Sequence, residues 1–251
     1  MNRSPSPSSD TQRIPPIIDP HSISIRALSE AIGTFILVAS AAGSVILVEI
    51  HTPVGSSLLP AVVAGLAVTV VVYVCGPISG AHINPAVTMA MVLNRRINLV
   101  DGAIYWLMQT TAAVGASYML RITLGLVSDL GGHSPQGSVV QAVAMEIFLT
   151  FILLTVIMLV VNNQDRLGYI SGIAIGSTVC FGILIGSPVS GGSMNPARSF
   201  GPAAVSWSWP HHWVYWVGPL TGGVVATVSE LLIKLFLRFI KINHTHRKHN
   251  H

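Results

Sequence analysis

Two stretches decide the fold, and each answers the other: "GPISGAHINPAVTM", Gly76–Met89, and "SPVSGGSMNPARSF", Ser187–Phe200. Pro77, Ser79, Gly80, Asn84, Pro85 and Ala86 match Pro188, Ser190, Gly191, Asn195, Pro196 and Ala197, each offset by 111 residues (84 to 195). One Asn-Pro-Ala tripeptide is no more than chance. Two, with the same flanks, mark an internal repeat. Other pieces recur at nearly the same offset: Glu30 with Thr34-Phe35-Ile36 echoes Glu146 with Thr150-Phe151-Ile152, and Tyr105-Trp106 echoes Tyr215-Trp216.

The background to these motifs is greasy. Of 251 residues, 51% are hydrophobic and 9% charged, with a mean hydropathy of +0.66. A soluble domain carries about 25% charged residues, so the chain reads as a polytopic membrane protein with the lipid bilayer as its first partner. Six apolar segments, near 27–50, 58–75, 100–122, 141–161, 167–185 and 213–237, are long enough to cross. Two more, 84–93 and 195–205, are too short. Half-length apolar pieces at membrane depth read as re-entrant segments buried in protein. Each half of the chain therefore has three spans and one re-entrant piece. Three is odd, so the second half enters from the opposite face and the repeats are inverted. The expected class is an all-α membrane protein of six spanning helices and two re-entrant half-helices. Such architectures place their site near the bilayer midplane, on broken helices.

Asn-Pro-Ala suits the start of a helix. Proline fits the first turn, where its missing N–H would be unpaired in any case. Asn84 and Asn195 can cap those helices, and their amides can also offer a donor to a passing solute. Each half-helix presents roughly half a positive charge at its N-terminus. Two such ends meeting at mid-membrane oppose cations and protons while a neutral polar molecule passes. Ahead of each Asn, the stretches Gly80–Ile83 and Gly191–Met194 are expected to be extended. The carbonyls of Gly80, Ala81, His82 and Ile83, and of Gly191, Gly192, Ser193 and Met194, would then form a row of acceptors along a lumen. His82 itself reads as a loop-packing residue.

Charges inside the apolar region need a reason. An arginine at mid-membrane costs at least about 2.5–3.5 kcal/mol on insertion scales, so Arg198 must be compensated or functional. Glu30 and Glu146 are the other intramembrane charges; their repeat-related placement suggests structural support of the re-entrant loops. The remaining cations set orientation. Arg3, Arg13, Arg26, Arg95, Arg96, Arg166, Lys234, Arg238, Lys241, Arg247 and Lys248 all fall on one side if both termini are cytoplasmic, and the loops 49–57 and 123–140 contain no Lys or Arg. This bias accounts for the net charge of +4 without a nucleic-acid partner. The Ser/Pro-rich N-terminus has no apolar core and so is no signal peptide. It is expected to be a disordered cytoplasmic tail over 1–25, and the His-rich C-terminus, 239–251, a solvated cytoplasmic tail without a metal. Between them lies a channel domain, 26–238, in repeats 26–125 and 140–238. Cys75 and Cys180 lie within or at the end of apolar spans and read as inert thiols.

Over roughly 26–238 the chain resembles an aquaporin, a member of the major intrinsic protein family. The resemblance implies a homotetramer with one pore per subunit, no cofactor, no catalysis and a place in the cell (plasma) membrane. It implies that Arg198 points into the outer constriction and donates to the solute, and that Glu30 and Glu146 accept from re-entrant backbone N–H groups. Counting from each Asn as the family does, the constriction is Ala64, Ile183, Gly192 and Arg198. Strict water channels have an aromatic and a His in the first two places. Ala64, Ile183, Gly192 and Arg198 instead resemble the nodulin-like intrinsic proteins that pass boric acid and related metalloid hydroxides. Glycerol specialists usually carry Asp where this chain has Ser199. The expected cargo is thus boric acid, arsenous acid, glycerol and water. A water-selective aquaporin is the alternative. A coupled transporter would need a titratable group at mid-pore, where the sequence offers asparagines, and no nucleophile–base or metal spacing suggests an enzyme.

Overall fold

The computed structural model describes residues 22–51, 56–125, 127 and 129–249, so most of the expected N-terminal tail lies outside the described residues. Among these residues every regular element is a helix: α1 (Ile23–His51), α2 (Leu58–Ser79), α3 (Pro85–Leu93), α4 (Leu99–Leu124), α5 (Val139–Asn162), α6 (Gln164–Leu167), a 3-10 turn (Gly168–Ile170), α7 (Ser171–Gly186), α8 (Pro196–Ser206) and α9 (Val214–His249). In hydrocarbon every backbone polar group must be satisfied within the chain, and helices do this segment by segment. α1, α2, α5 and the Gln164–Gly186 stretch are long and apolar enough to cross a membrane. α4 and α9 are more polar, but at 26 and 36 residues and about 1.5 Å per residue they have the length. α3 and α8, at 9 and 11 residues, do not.

Helix starts are written in polar caps. Asn98 accepts from the Asp101 N–H at 2.9 Å, and Ser138 and Gln141 form a reciprocal capping box at the start of α5. Two boundaries overrun the apolar pattern. α2 continues past Cys75 through Pro77 to Ser79, closing on Gly80, whose left-handed backbone lets its N–H reach the Gly76 carbonyl. α9 continues to His249, so the stretch expected to be a solvated tail from 239 is helical to that point.

The packing obeys the repeat. α1 lies against α2 and α4, and its counterpart α5 against α7 and α9. Each half-helix crosses over to the other repeat, α8 onto α4 and α3 onto α9. The halves join along α2 and α7, where Gly65 and Gly176 meet; a Cβ on Gly176 would fall 2.3 Å from the Gly65 carbonyl oxygen. Glycine at this crossing lets the two backbones touch. One cation outside the expected set sits at the far end of the bundle: Arg121, in the last turn of α4, donates to the Val205 carbonyl at the end of α8, 3.2 Å away.

Candidate functional site: where the two half-helices meet

The re-entrant loops are not extended. Gly80, Ala81 and Ile83 have φ of 88°, 47° and 46°, and Gly191, Gly192 and Met194 have 87°, 64° and 56°. Non-glycine residues in the left-handed region cost of order 1–3 kcal/mol each, so something must hold Ala81, Ile83 and Met194 there. The buried glutamates do. Alternating backbone handedness turns neighbouring N–H groups to one side as an anion-binding concavity, and a carboxylate fills it in each half. Glu30 Oε1 accepts from Ser79 Oγ at 2.7 Å and His82 N at 2.8 Å, and Oε2 from Ile83 N at 2.6 Å. Glu146 Oε1 accepts from Ser190 Oγ at 2.7 Å and Ser193 N at 2.8 Å, and Oε2 from Met194 N at 2.7 Å. Tyr105 and Tyr215 complete the match, donating to the Ser79 and Ser190 carbonyls at 2.9 and 2.7 Å.

At the Asn-Pro-Ala starts the two halves lock together. Asn84 Oδ1 caps α3 by accepting from Ala86 N at 2.8 Å, while its Nδ2 donates across to the Met194 carbonyl at 2.8 Å. Asn195 Oδ1 caps α8 by accepting from Ala197 N at 3.0 Å and Arg198 N at 3.3 Å, and its Nδ2 donates to the Ile83 carbonyl at 2.9 Å. An amide carries two N–H bonds. One of each is spent on the opposite loop, and the other makes no hydrogen bond among the described residues. Ile83 and Met194 carbonyls, expected only to line a lumen, are thus also the acceptors that fix the asparagines.

Arg198 is buried. Its Nη1 donates to the Gly192 carbonyl at 2.8 Å and the Ser193 carbonyl at 3.3 Å, and Nε finds no partner among the described residues. Gly192 in turn presses on Ile183, a Cβ there falling 2.9 Å from Ile183 Cα. Arg198, Gly192 and Ile183 are therefore brought together. Ala64 is fully buried in the same apolar cluster as Ile183.

A cavity of about 580 Å³ runs from a mouth at Arg26, Arg96 and Gln164 to Arg198. Its lining includes Asn84 and Asn195, the loop residues Gly80, Ala81, His82, Ile83, Ser193 and Met194, and the apolar side chains of Val68, Leu153 and Val179. Ala64, Ile183, Gly191 and Gly192 are not among its lining residues. Loop backbone and apolar side chains therefore both line the passage.

Three groups escaped the sequence reading. Gln109 donates to Glu30 Oε2 at 2.9 Å and to Thr88 Oγ1 at 3.0 Å. Thr88 also meets His82 Nδ1 at 3.2 Å. The second half repeats this arrangement with other residues: Ser193 Oγ and Ser199 Oγ share a hydrogen bond of 2.5 Å, and Ser199 Oγ meets His133 Nδ1 at 3.2 Å. His133 comes from the loop joining the repeats and also touches the Tyr215 ring, 5.5 Å between centroids. Burial holds its imidazole well below the ordinary histidine range, with Arg198 and His212 adding to the effect.

Two half-helices with capped Asn-Pro-Ala starts, tied face to face over inverted repeats, define a channel of the aquaporin class. The sequence profile described as Major intrinsic protein matches residues 20–229, and the chain belongs to that family, whose members are membrane channels rather than enzymes. It is 36% identical over 230 residues to aquaporin NIP2-3 of Zea mays, covering 92% of this chain and 75% of the relative. It is 42% identical over 217 residues to aquaporin TIP1-2 of Musa acuminata, covering 83% and 86%. Among solved structures, the X-ray structure of the aquaglyceroporin from Plasmodium falciparum superposes with a TM-score of 0.74 at 24% identity, covering 82% of this chain and 94% of that one. That likeness is one of fold.

Proposed function

We propose that this channel passes small uncharged solutes, boric acid, arsenous acid and glycerol as well as water, and excludes ions and protons. The observation that carries the reading is the composition of the constriction. With Arg198, the residues that the family resemblance assigns to it are an alanine, an isoleucine and a glycine, Ala64, Ile183 and Gly192, where a water-selective filter would present an aromatic ring and an imidazole. Small side chains widen the aperture, and Ile183 offers an apolar wall. Boric and arsenous acids are compact, neutral near pH 7 and carry three hydroxyls. These can meet the Arg198 guanidinium, the second amide N–H of Asn84 and Asn195, and the loop carbonyls.

Exclusion of cations is supported by the same geometry. Two helix N-termini and a guanidinium set positive potential along one short path. The bias of Lys and Arg supports cytoplasmic termini, with Arg121 as an exception at the opposite end of α4. A homotetramer in the plasma membrane completes the proposal. Apolar residues such as Leu66, Val70 and Val74 on the outer face of α2 are exposed in the single chain and need lipid or a neighbouring subunit.

Light-scattering assays on proteoliposomes test the filter. The double variant Ala64→Phe/Ile183→His should suppress boric acid and glycerol flux at least tenfold while water flux stays within about twofold. Were the unaltered protein to conduct water quickly yet shut out boric acid and glycerol, the water-selective alternative would hold.

A further inference from the structure

α9 is longer than a membrane requires. Its 36 residues extend about 54 Å at 1.5 Å per residue, whereas the hydrocarbon core takes about 20 residues. Glu230 marks where it leaves the bundle. The Glu230 carboxylate accepts from Asn162 at the end of α5 and pairs with Lys234, one turn on; Asn162 in turn accepts from Arg96, at the mouth of the cavity. Beyond this polar level the helix continues with Leu231, Leu232, Ile233, Leu235, Phe236 and Phe239 each at least half exposed.

The pattern beyond Glu230 is two-sided. At 100° per residue, Lys234 and Arg238 fall about 40° apart, and the apolar residues from Leu231 to Ile240 fan over roughly 240° of the remainder. After Glu230 the sequence holds Lys234, Arg238, Lys241, Arg247 and Lys248 and no Asp or Glu. A helix that is apolar over most of its girth and basic along one edge fits an interface between acyl chains and anionic headgroups. A groove on an acidic protein fits less well, because it would cover one stripe and leave the rest in water. The segment also continues directly from a spanning helix, so lipid is its immediate neighbour.

We propose that Leu231–Ile240 is an interfacial anchor: its apolar arc is covered by the acyl region of the inner leaflet and its basic edge binds acidic phospholipid headgroups. This goes beyond solute selection and is independent of it. Anionic lipid bound here would adjoin the pore's mouth through the Lys234–Glu230–Asn162–Arg96 chain.

The test uses the full chain, with Cys75 and Cys180 changed to Ala and a polarity-sensitive fluorophore on Phe239→Cys. Vesicles of phosphatidylcholine alone are compared with vesicles containing phosphatidylglycerol in both leaflets, so insertion direction does not matter. The anchor predicts a blue-shifted label, quenched by spin-labelled lipid, in anionic vesicles, and reversal in high salt. Without any cysteine change, native mass spectrometry of Arg238→Gln/Lys241→Gln should show phosphatidylglycerol retention reduced about thirtyfold. A label that stays in water in both vesicles overturns the proposal, as does equal immersion in both or retention unchanged by the two substitutions. So would extraction of the label from anionic vesicles by an acidic helix-binding protein such as calcium-loaded calmodulin, which would assign the surface to a protein partner.

Discussion

Arg198 has its charge compensated without being neutralised. It gives hydrogen bonds to the Gly192 and Ser193 carbonyls, and Nε has no partner among the described residues. Removing the side chain should leave the fold, since Gly192 and Ser193 are also held by Ser190 Oγ and Glu146. Arg198→Ala is therefore expected to assemble normally and to raise proton or cation leak several-fold in a pH-sensitive dye assay. Normal assembly with unchanged leak would show that the guanidinium does not guard the path. Asn84 and Asn195 were legible because the repeat singles them out, and Arg198 because it is a charge in an apolar stretch. His133 was not. It stands alone in a Gly-rich connection, "GGHSPQG" (131–137), and its contact with Ser199 is fixed by tertiary folding over 66 residues. The only hint was Ser199 itself, a hydroxyl where a carboxylate is usual for glycerol specialists.

At the scale of elements, the two re-entrant loops stand on one carboxylate each. Glu146→Gln replaces two acceptor oxygens with one and turns an NH₂ group towards backbone donors. A stranded buried group costs about 1–3 kcal/mol, and in a chain of this size 1 kcal/mol is worth roughly 2–4 °C of Tm. Glu146→Gln should thus lower Tm by several degrees and abolish flux. Glu30→Gln should cost a similar amount, because it disturbs the Gln109 contact as well and leaves that amide only Thr88 Oγ1. Equal stability of wild type and Glu146→Gln by scanning fluorimetry would contradict the account. The connecting loop carries a pH dependence. Since the folded protein holds His133 well below its ordinary value, the unfolded chain takes up a proton near pH 6.5 that the folded chain refuses. Stability is full above that pH and declines as pH falls through it towards the folded value. Tm should drop between pH 7 and 5, and less steeply in His133→Gln. His212, also lowered by burial, supplies part of the remaining slope. An identical slope in both proteins would remove His133 from this role. The spans and half-helices were readable from apolar run length and the Asn-Pro caps. The loops were not, because their left-handed residues Ala81, Ile83 and Met194 are strained conformations that only the distant glutamates stabilise. Nor was the end of α9, since charge in the sequence past Leu237 resembles a solvated tail as much as an amphipathic helix.

On the scale of the whole molecule, the inverted repeat makes one transport path out of two incomplete pieces. Neither half-helix crosses the bilayer; each depends on the opposite loop for the carbonyl that fixes its asparagine. The result is a path with donors on fixed amides and a guanidinium and acceptors on backbone carbonyls; no Asp or Glu is among the described residues that line it, and Glu30 and Glu146 are both occupied by loop N–H groups. Such a path is proposed to carry neutral hydroxylated solutes and not charge. The measurement that reaches it most directly is simultaneous recording of boric acid influx and proton conductance in the same proteoliposomes of the unaltered protein. Boric acid should enter at least tenfold faster than in protein-free vesicles, with proton conductance no greater than that of the lipid alone. Exclusion of boric acid, or a protein-dependent proton current, would contradict it.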